Sequence, residues 1–370
     1  MILGVNGIRL IGKRSGVGRC IEALLRCFGE ILHPFDQINV YTPEPLGSDI
    51  YLPPGATNVV LPSITPSAFW EQQTLLKAHG RKNLLLCPSY VIPLMAHCPT
   101  FLIHHGSYEG YPQAFNWWTL NKARAIYSLS AKKATGVSTV SEYSKRDMVK
   151  YYGINPTKIN VVPEGVDTTV FRPLNDPDKL SKWRTGIFGS DIPFITYIGK
   201  PTERRNLTSL IKAFAELKKE KLEHKLLLVG TGLPGTSPFR QVIKELNLTE
   251  EVLTLDYINH DELVMVYNAA SLFIYPSSYE GFGMPVLEAM ACGTPLIALN
   301  NTAFPEFAGG IAHLLADAKV LTLKNGIRAV LNDSKWQAQM AEDGPRRAAN
   351  YDWHILAQKY LDLMIPLAVS

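Results

Sequence analysis

The chain has no uninterrupted apolar run near the roughly 18 residues that cross a bilayer, and its opening apolar stretch, Met1 to Val5, is too short for a secretory core. Cysteine is scarce. The five, Cys20, Cys27, Cys87, Cys98 and Cys292, are odd in number and scattered, with no C-x-x-C pair and no metal-ligand spacing. That excludes a disulfide framework and a zinc site, and the thiols read as reduced and buried. Charge of one sign is also in short supply. The net charge is +4, and the excess lies in residues 1–170, which hold 16 Lys and Arg against 11 Asp and Glu. So small a bias suits a solvated surface, or a face toward anionic lipid or an anionic acceptor; no nucleic-acid partner is expected. The chain is expected in the cytoplasm, soluble or peripheral at the inner face of the membrane.

The dinucleotide fingerprint is incomplete as well. Ser15-Gly16-Val17-Gly18-Arg19 is a Gly-rich turn between a short strand, Ile2 to Val5, and a helix with Ile21, Leu24, Leu25 and Phe28 at i, i+3, i+4 and i+7, but it lacks the full fingerprint and its acidic partner. A nicotinamide oxidoreductase fits poorly. Asp176 and Asp178 form a D-x-D, yet they sit in a Pro-containing linker, and no metal or other cofactor is expected.

What is present is alternation. Short apolar strands at Ile38–Tyr41, Val59–Leu61, Asn83–Cys87, Thr100–Ile103, Phe194–Gly199, Lys225–Gly230 and Val252–Ile258 interleave with helical stretches such as Ala68–Ala78, Glu142–Tyr152, Leu207–Leu217 and Asp261–Ala270. This predicts an α/β chain of doubly wound parallel sheets, and with 370 residues, 46% of them hydrophobic, there is material for two cores.

The stretch Tyr279 to Pro295 organises the rest. It lies between strands Leu272–Tyr275 and Leu296–Leu299, with Pro285 suited to a first helical turn and Gly293 past the last one, so the helix runs from about Met284 to Cys292. Its N-terminus opens from Gly281-Phe282-Gly283 and forms an anion site. Two carboxylates, Glu280 on the loop and Glu288 in the second turn, accept hydrogen bonds from hydroxyls. Hydroxyls beside a diphosphate suggest a nucleotide sugar. Lys200, Arg204 and Arg205 converge on another strand-to-helix turn and would neutralise such a diphosphate. His104-His105 follows a strand's carboxyl end, where a structural and a ligand-binding role both stand open. Phe115, Trp117, Trp118, Leu120, Lys122, Arg124, Ile126 and Tyr127, continuing to Lys132-Lys133, suit core packing with a basic rim, or an acceptor groove or membrane-surface patch.

Pro276-Ser277 through Pro295 resembles the E-x7-E signature of the retaining glycosyltransferases of family 4 (glycosyl transferases group 1), which have the GT-B fold of two Rossmann-like domains facing across a cleft that closes during the cycle. The resemblance covers nearly the whole chain, loosely over residues 30–100. It implies that Glu280 contacts the donor hexose and Glu288 the ribose, while Gly281, Phe282, Gly283, Met284, Pro285, Val286 and Leu287 line the donor. Gly16 and Gly18 match the G-G-x-G-R loop beside the donor phosphates and acceptor. His104, with Pro112 eight residues on, matches a sugar-contacting His, although His105 replaces the usual Asp. Lys200 and Arg205 match the two diphosphate cations with the residue types exchanged. Tyr257 and Ile258 lie at the exit loop that holds the base. Val161 to Asp167 resembles the segment that closes the first domain, with Glu164 for the usual Asn. The implied domains are 1–172 on the acceptor side, a linker 173–190, a donor domain 191–350, and a helix 351–370 returning to the first.

The implied enzyme moves a hexose, such as mannose or glucose, from a UDP- or GDP-sugar to an acceptor hydroxyl on a glycan or lipid-linked saccharide, with retention and without metal. Glu280 and His104 are its catalytic residues. A catalytically silent GT-B module that binds nucleotide sugar or serves a partner is the rival, and a sugar phosphorylase or nucleotide-sugar epimerase would share the fold.

Overall fold

Runs such as Leu84–Cys87 and Leu272–Tyr275 are apolar at every position, so neither face can meet water, and both become inner strands of parallel sheets. The computed structural model describes residues 1–12, 16–63, 69–78, 84–107, 111–112, 117–231 and 238–369. The chain divides into two units, Met1–Gly165 with Trp353–Ser370, and Val166–Asp352.

In the first unit, β1 (Ile2–Asn6), β2 (Gln37–Thr42), β3 (Ala56–Val60), β4 (Leu84–Cys87), β5 (Thr100–His104), β6 (Gly136–Thr139) and β7 (Ile159–Val161) form a parallel sheet in the order β3-β2-β1-β4-β5-β6-β7. Strand order reverses between β1 and β4, the switch point where such sheets hold ligands at the strands' carboxyl ends. Helix Gly16–Glu30 buries Ile21, Leu24, Leu25 and Phe28, the face its periodicity marks out. Ser15 of the Gly-rich turn lies outside the described residues. Ser141 caps helix Glu142–Tyr152 by accepting from the Ser144 amide at 3.0 Å, and Gly153 closes it in the left-handed conformation.

In the second unit, β8 (Phe194–Ile198), β9 (Lys225–Val229), β10 (Val252–Leu255), β11 (Leu272–Tyr275), β12 (Leu296–Leu299) and β13 (His313–Leu315) form a parallel sheet in the order β10-β9-β8-β11-β12-β13. Its switch point lies between β8 and β11. The chain enters this unit at Val166 and leaves it at Asp352, and those two residues pair as a parallel bridge. The Asp352 carboxylate accepts from the Thr168 hydroxyl at 2.5 Å, which fastens the crossing points together.

Several expectations need correction. Within residues 173–190, expected as a linker, the chain forms helix Pro177–Phe188, capped by the Asp176 side chain on the Lys179 amide and stopped by Gly189. The D-x-D is thus a helix start. The helix expected over Ala68–Ala78 is a π-helical turn, Trp70–Thr74, running into a 3-10 turn, Leu75–Ala78; Ala68 lies outside the described residues, as does Asn83. The strand expected at Val59–Leu61 begins earlier, at Ala56, because Asn58 reaches across the sheet to the Val40 carbonyl and the Thr42 hydroxyl. In the aromatic and basic segment, helix Trp117–Lys133 leaves Trp118 70% exposed, while Arg124 and Lys133 brace the carbonyls of Tyr151 and Leu94. Phe115 lies outside the described residues. All five cysteines are buried thiols, and no helix among the described residues is long and apolar enough to cross a membrane.

Candidate functional site

The loop that leaves β11 carries the densest polar cluster of the second unit. Glu280 is 9% exposed, and four donors converge on its Oε1: Arg204 Nη1 at 2.6 Å, Arg205 Nε at 3.1 Å, the Tyr275 hydroxyl at 2.9 Å and the Ser277 hydroxyl at 3.0 Å. Burial alone would raise this carboxyl, but the charges of Arg205 and Arg204 and the hydrogen bonds from Arg204 and Tyr275 hold it below the usual carboxylate value. The group is ionised and rigidly aimed.

The partners come from the turn after β8. Arg205 ends the 3-10 turn Glu203–Arg205, and its guanidinium lies 5.4 Å from the centre of the Tyr275 ring. Burial works against its charge, but Tyr275, Glu280 and Tyr197 outweigh it and raise the guanidinium above its ordinary value. Gly199 makes room: at φ +143° it adopts a conformation that side chains rarely take, and a Cβ there would lie 2.6 Å from Arg205 Nη1. Arg204 also donates to the Tyr279 carbonyl, and its own carbonyl accepts from the Ser278 amide at 2.7 Å, so the two turns are stitched together. Lys200 is exposed beside them, its carbonyl accepting from Tyr197 and from Arg205.

Helix Met284–Ala291 begins where the spacing put it, with Pro285 in its first turn and Gly293 at φ +71° past its end. Gly283, at φ +116°, starts it; a Cβ there would stand 2.6 Å from Phe304 Cε1. The N–H groups of the first turn therefore open on the same loop as Glu280. Glu288 projects from the second turn, 2% exposed, and its Oε2 accepts from the Tyr267 hydroxyl at 2.9 Å. Tyr257 is 66% exposed just beyond β10, followed by the half-buried Ile258. Gly281, Phe282, Gly283, Met284, Val286 and Leu287 are buried against the unit, and Phe282 stacks on Phe307 at 4.4 Å.

In the first unit the outcome differs. Gly16 and Gly18 open helix Gly16–Glu30, the former exposed and the latter buried. His104 ends β5 with its ring enclosed. It is 0% exposed among Tyr90, Tyr152 and Tyr127, with ring centres 5.0, 5.4 and 5.9 Å away, and neither ring nitrogen has a hydrogen-bond partner among the described residues. Burial, and then the neighbouring His105, push it down to about 3, so it is neutral. His105, set aside by the sequence pattern, is instead the hydrogen-bonded one: its Nδ1 meets Glu164 Oε1 and its Nε2 the Pro88 carbonyl, each at 2.9 Å. The two departures from the pattern are partners.

The sequence reading missed Tyr275 and Ser277 as site residues. Their signal was local, since Tyr275 ends an apolar strand and Ser277 follows two residues on, and polar groups there have reason to be present only if something receives them. The Arg205 to Glu280 contact spans 75 residues and left no such trace.

Comparison with known proteins bears on both units. A model of glycosyl transferases group 1 matches residues 183–347, and a model of glycosyltransferase family 4 matches residues 15–170. The MMP alpha-(1->4)-mannosyltransferase of Mycolicibacterium hassiacum is 29% identical over 254 residues, which are 66% of this chain and 58% of that protein. The chain thus spans little more than half the length of this relative. Among solved structures, sucrose-phosphate synthase from Thermosynechococcus elongatus superposes with a TM-score of 0.81 at 19% identity, covering 99% of this chain and 98% of that one. HepE from Anabaena, in complex with UDP and glucose, gives 0.78 at 20% identity, covering 98% of each. Both share the fold, GT-B.

Proposed function

Because the chain belongs to the glycosyltransferases of family 4 and group 1, we propose that it moves a hexose from a UDP- or GDP-sugar to an acceptor hydroxyl on a glycan or lipid-linked saccharide, with retention. The observation that carries this reading is the convergence of Arg204, Arg205, Tyr275 and Ser277 on one oxygen of Glu280 at the second sheet's switch point. With Oε1 saturated, Oε2 is the atom left to accept a hydroxyl of the hexose.

On this reading the donor diphosphate meets the first turn of helix Met284–Ala291, where N–H groups and the positive dipole end favour an anion, and Lys200 and Arg205 neutralise it. No metal is assigned a part. Glu288 receives the ribose, and Tyr257 and Ile258 flank the base. The acceptor oxygen bonds to the anomeric carbon on the face that the diphosphate leaves. As the bond from that carbon to the phosphate oxygen breaks, its electron pair stays with the diphosphate, which takes the acceptor's proton. Fixed cations stabilise the charge that develops on the leaving group without reorganising.

The enclosure of His104 favours a second reading, a catalytically silent module that binds nucleotide sugar. Donor binding is common to both and is tested first. A panel of UDP- and GDP-sugars should contain members that raise the melting temperature, as any ligand of the native state does. Lys200 is exposed, so Lys200→Ala should leave the unliganded melting point where it is while weakening the best donor by about tenfold, the worth of one charge-assisted contact. Unchanged donor affinity in Lys200→Ala would refute the diphosphate assignment.

A further inference from the structure

A second buried carboxylate stands at the switch point of the first unit. Glu71 is 6% exposed in the π-helical turn Trp70–Thr74, and its Oε1 accepts from Asn6 Nδ2 at 2.8 Å. Asn6 is the last residue of β1, beside which the strand order reverses. Its amide is held in one sense, because its Oδ1 accepts from the Ile8 amide at 3.2 Å and so turns Nδ2 toward Glu71.

The residues on either side of Glu71 are fixed too. Trp70 is fully buried and donates from Nε1 to the Leu61 carbonyl at 2.8 Å. Gln72 donates to the Ile92 carbonyl at 2.8 Å and accepts from the Leu94 amide at 3.0 Å. Two anchors on opposite sides leave Glu71 in a single position at the carboxyl ends of β1 and β4, and single π-helical turns recur at functional sites.

Among the described residues, no hydrogen bond or ion pair to a cation explains why this position is acidic. Arg9 acts on Glu71 through its charge, with no hydrogen bond between them among the described residues. Burial pushes the carboxyl up to about 7, against the Asn6 hydrogen bond and the Arg9 charge. A glutamine would accept from Asn6 without the desolvation cost, so the acid is retained at the expense of stability, as at sites that bind or react. The chemistry of the site selects its ligand. A carboxylate repels a diphosphate, for which the second unit holds the cations, and accepts hydrogen bonds from neutral hydroxyls.

We propose that Glu71, oriented by Asn6, binds a hydroxyl of a neutral polyhydroxyl compound, a sugar or a cyclitol, at the carboxyl end of β1. That this compound is the acceptor rests on the transfer reading above, whereas the hydroxyl site itself does not.

The test is ligand-observed saturation-transfer NMR on the whole protein with methyl α-D-mannopyranoside, methyl α-D-glucopyranoside and myo-inositol, without nucleotide sugar, on the wild type and on Glu71→Gln. Glutamine keeps the oxygen that Asn6 uses, and Glu71 is none of the residues assigned to the donor. At least one probe should give transfer with the wild type, and Glu71→Gln should weaken it by about tenfold, the loss of a hydrogen bond to a charged acceptor. Donor-induced melting shifts should be the same in both proteins. Transfer from no probe, or equal transfer in the two proteins, overturns the proposal, and so does a parallel loss of donor binding. If polyols bind through Glu71 but no nucleotide sugar shifts the melting point of either protein, the transfer reading fails and the hydroxyl site stands.

Discussion

Glu280 and Glu71 are both buried carboxylates at switch points, and their neighbours drive them in opposite directions. Two guanidinium groups hold Glu280 ionised, while Glu71, whose hydrogen-bond partner among the described residues is the Asn6 amide, is pushed up to about 7 by burial. An acid whose folded value lies above its unfolded one binds more protons when folded, so its burial is tolerated at low pH and penalised as pH rises from about 4.5 through 7. At pH 8 that penalty is on the order of 3 kcal/mol, and Glu71→Gln should remove it. Urea denaturation should therefore find the variant more stable than the wild type at pH 8, with the difference closing by about pH 4, below the unfolded value. Equal stability at both pH values would mean that the carboxyl is not desolvated. At this scale legibility followed sequence distance. Glu280, Glu288, Lys200 and Arg205 could be read because each lies within a few residues of a strand end or a helix start. Glu71 with Asn6 and His105 with Glu164 meet across 65 and 59 residues, and no local pattern announces such a pair.

Elements with strong punctuation were legible almost to the residue. Helix Met284–Ala291 has Pro285 and Gly293 at its ends, and helix Glu142–Tyr152 has Ser141 and Gly153. Where polar and apolar residues share a segment the reading slipped: the edge strand Ala56–Val60 depends on Asn58 reaching across the sheet, and Trp70–Ala78 is bent away from a regular helix by the anchors of Trp70 and Gln72. The start of helix Met284–Ala291 is also the most exacting backbone of the site, since Gly283 combines φ +116° with a closed approach to Phe304. Gly283→Ala should cost about 1–3 kcal/mol of stability and abolish the donor-induced melting shift, because the first-turn N–H groups would be displaced. A variant that binds donor as the wild type does would show that the helix start is not the anion site.

For the molecule as a whole, the alternation of short apolar strands with helices disclosed two parallel sheets, while the expected passages between them, a linker over residues 173–190 and a return at 350–351, came from the resemblance alone. The crossings, at Gly165–Val166 and Asp352–Trp353, fall inside continuous chain, marked by contacts such as the Val166 to Asp352 bridge and the Thr168 hydrogen bond, made across 186 and 184 residues. The helix that follows, Trp353–Val369, belongs to the first unit. Chemistry is divided the same way: cations, a helix N-terminus and Glu280 in the second unit suit a nucleoside diphosphate sugar, and Glu71 with Asn6 in the first suits a hydroxyl. The most direct test of that division is NMR of the products formed from the best-binding UDP- or GDP-hexose and a polyol that binds the first unit. Release of UDP or GDP matched by a new glycosidic bond with the anomeric configuration of the donor is the predicted result; a donor returned unchanged, a sugar phosphate, an epimer or an inverted product would contradict it.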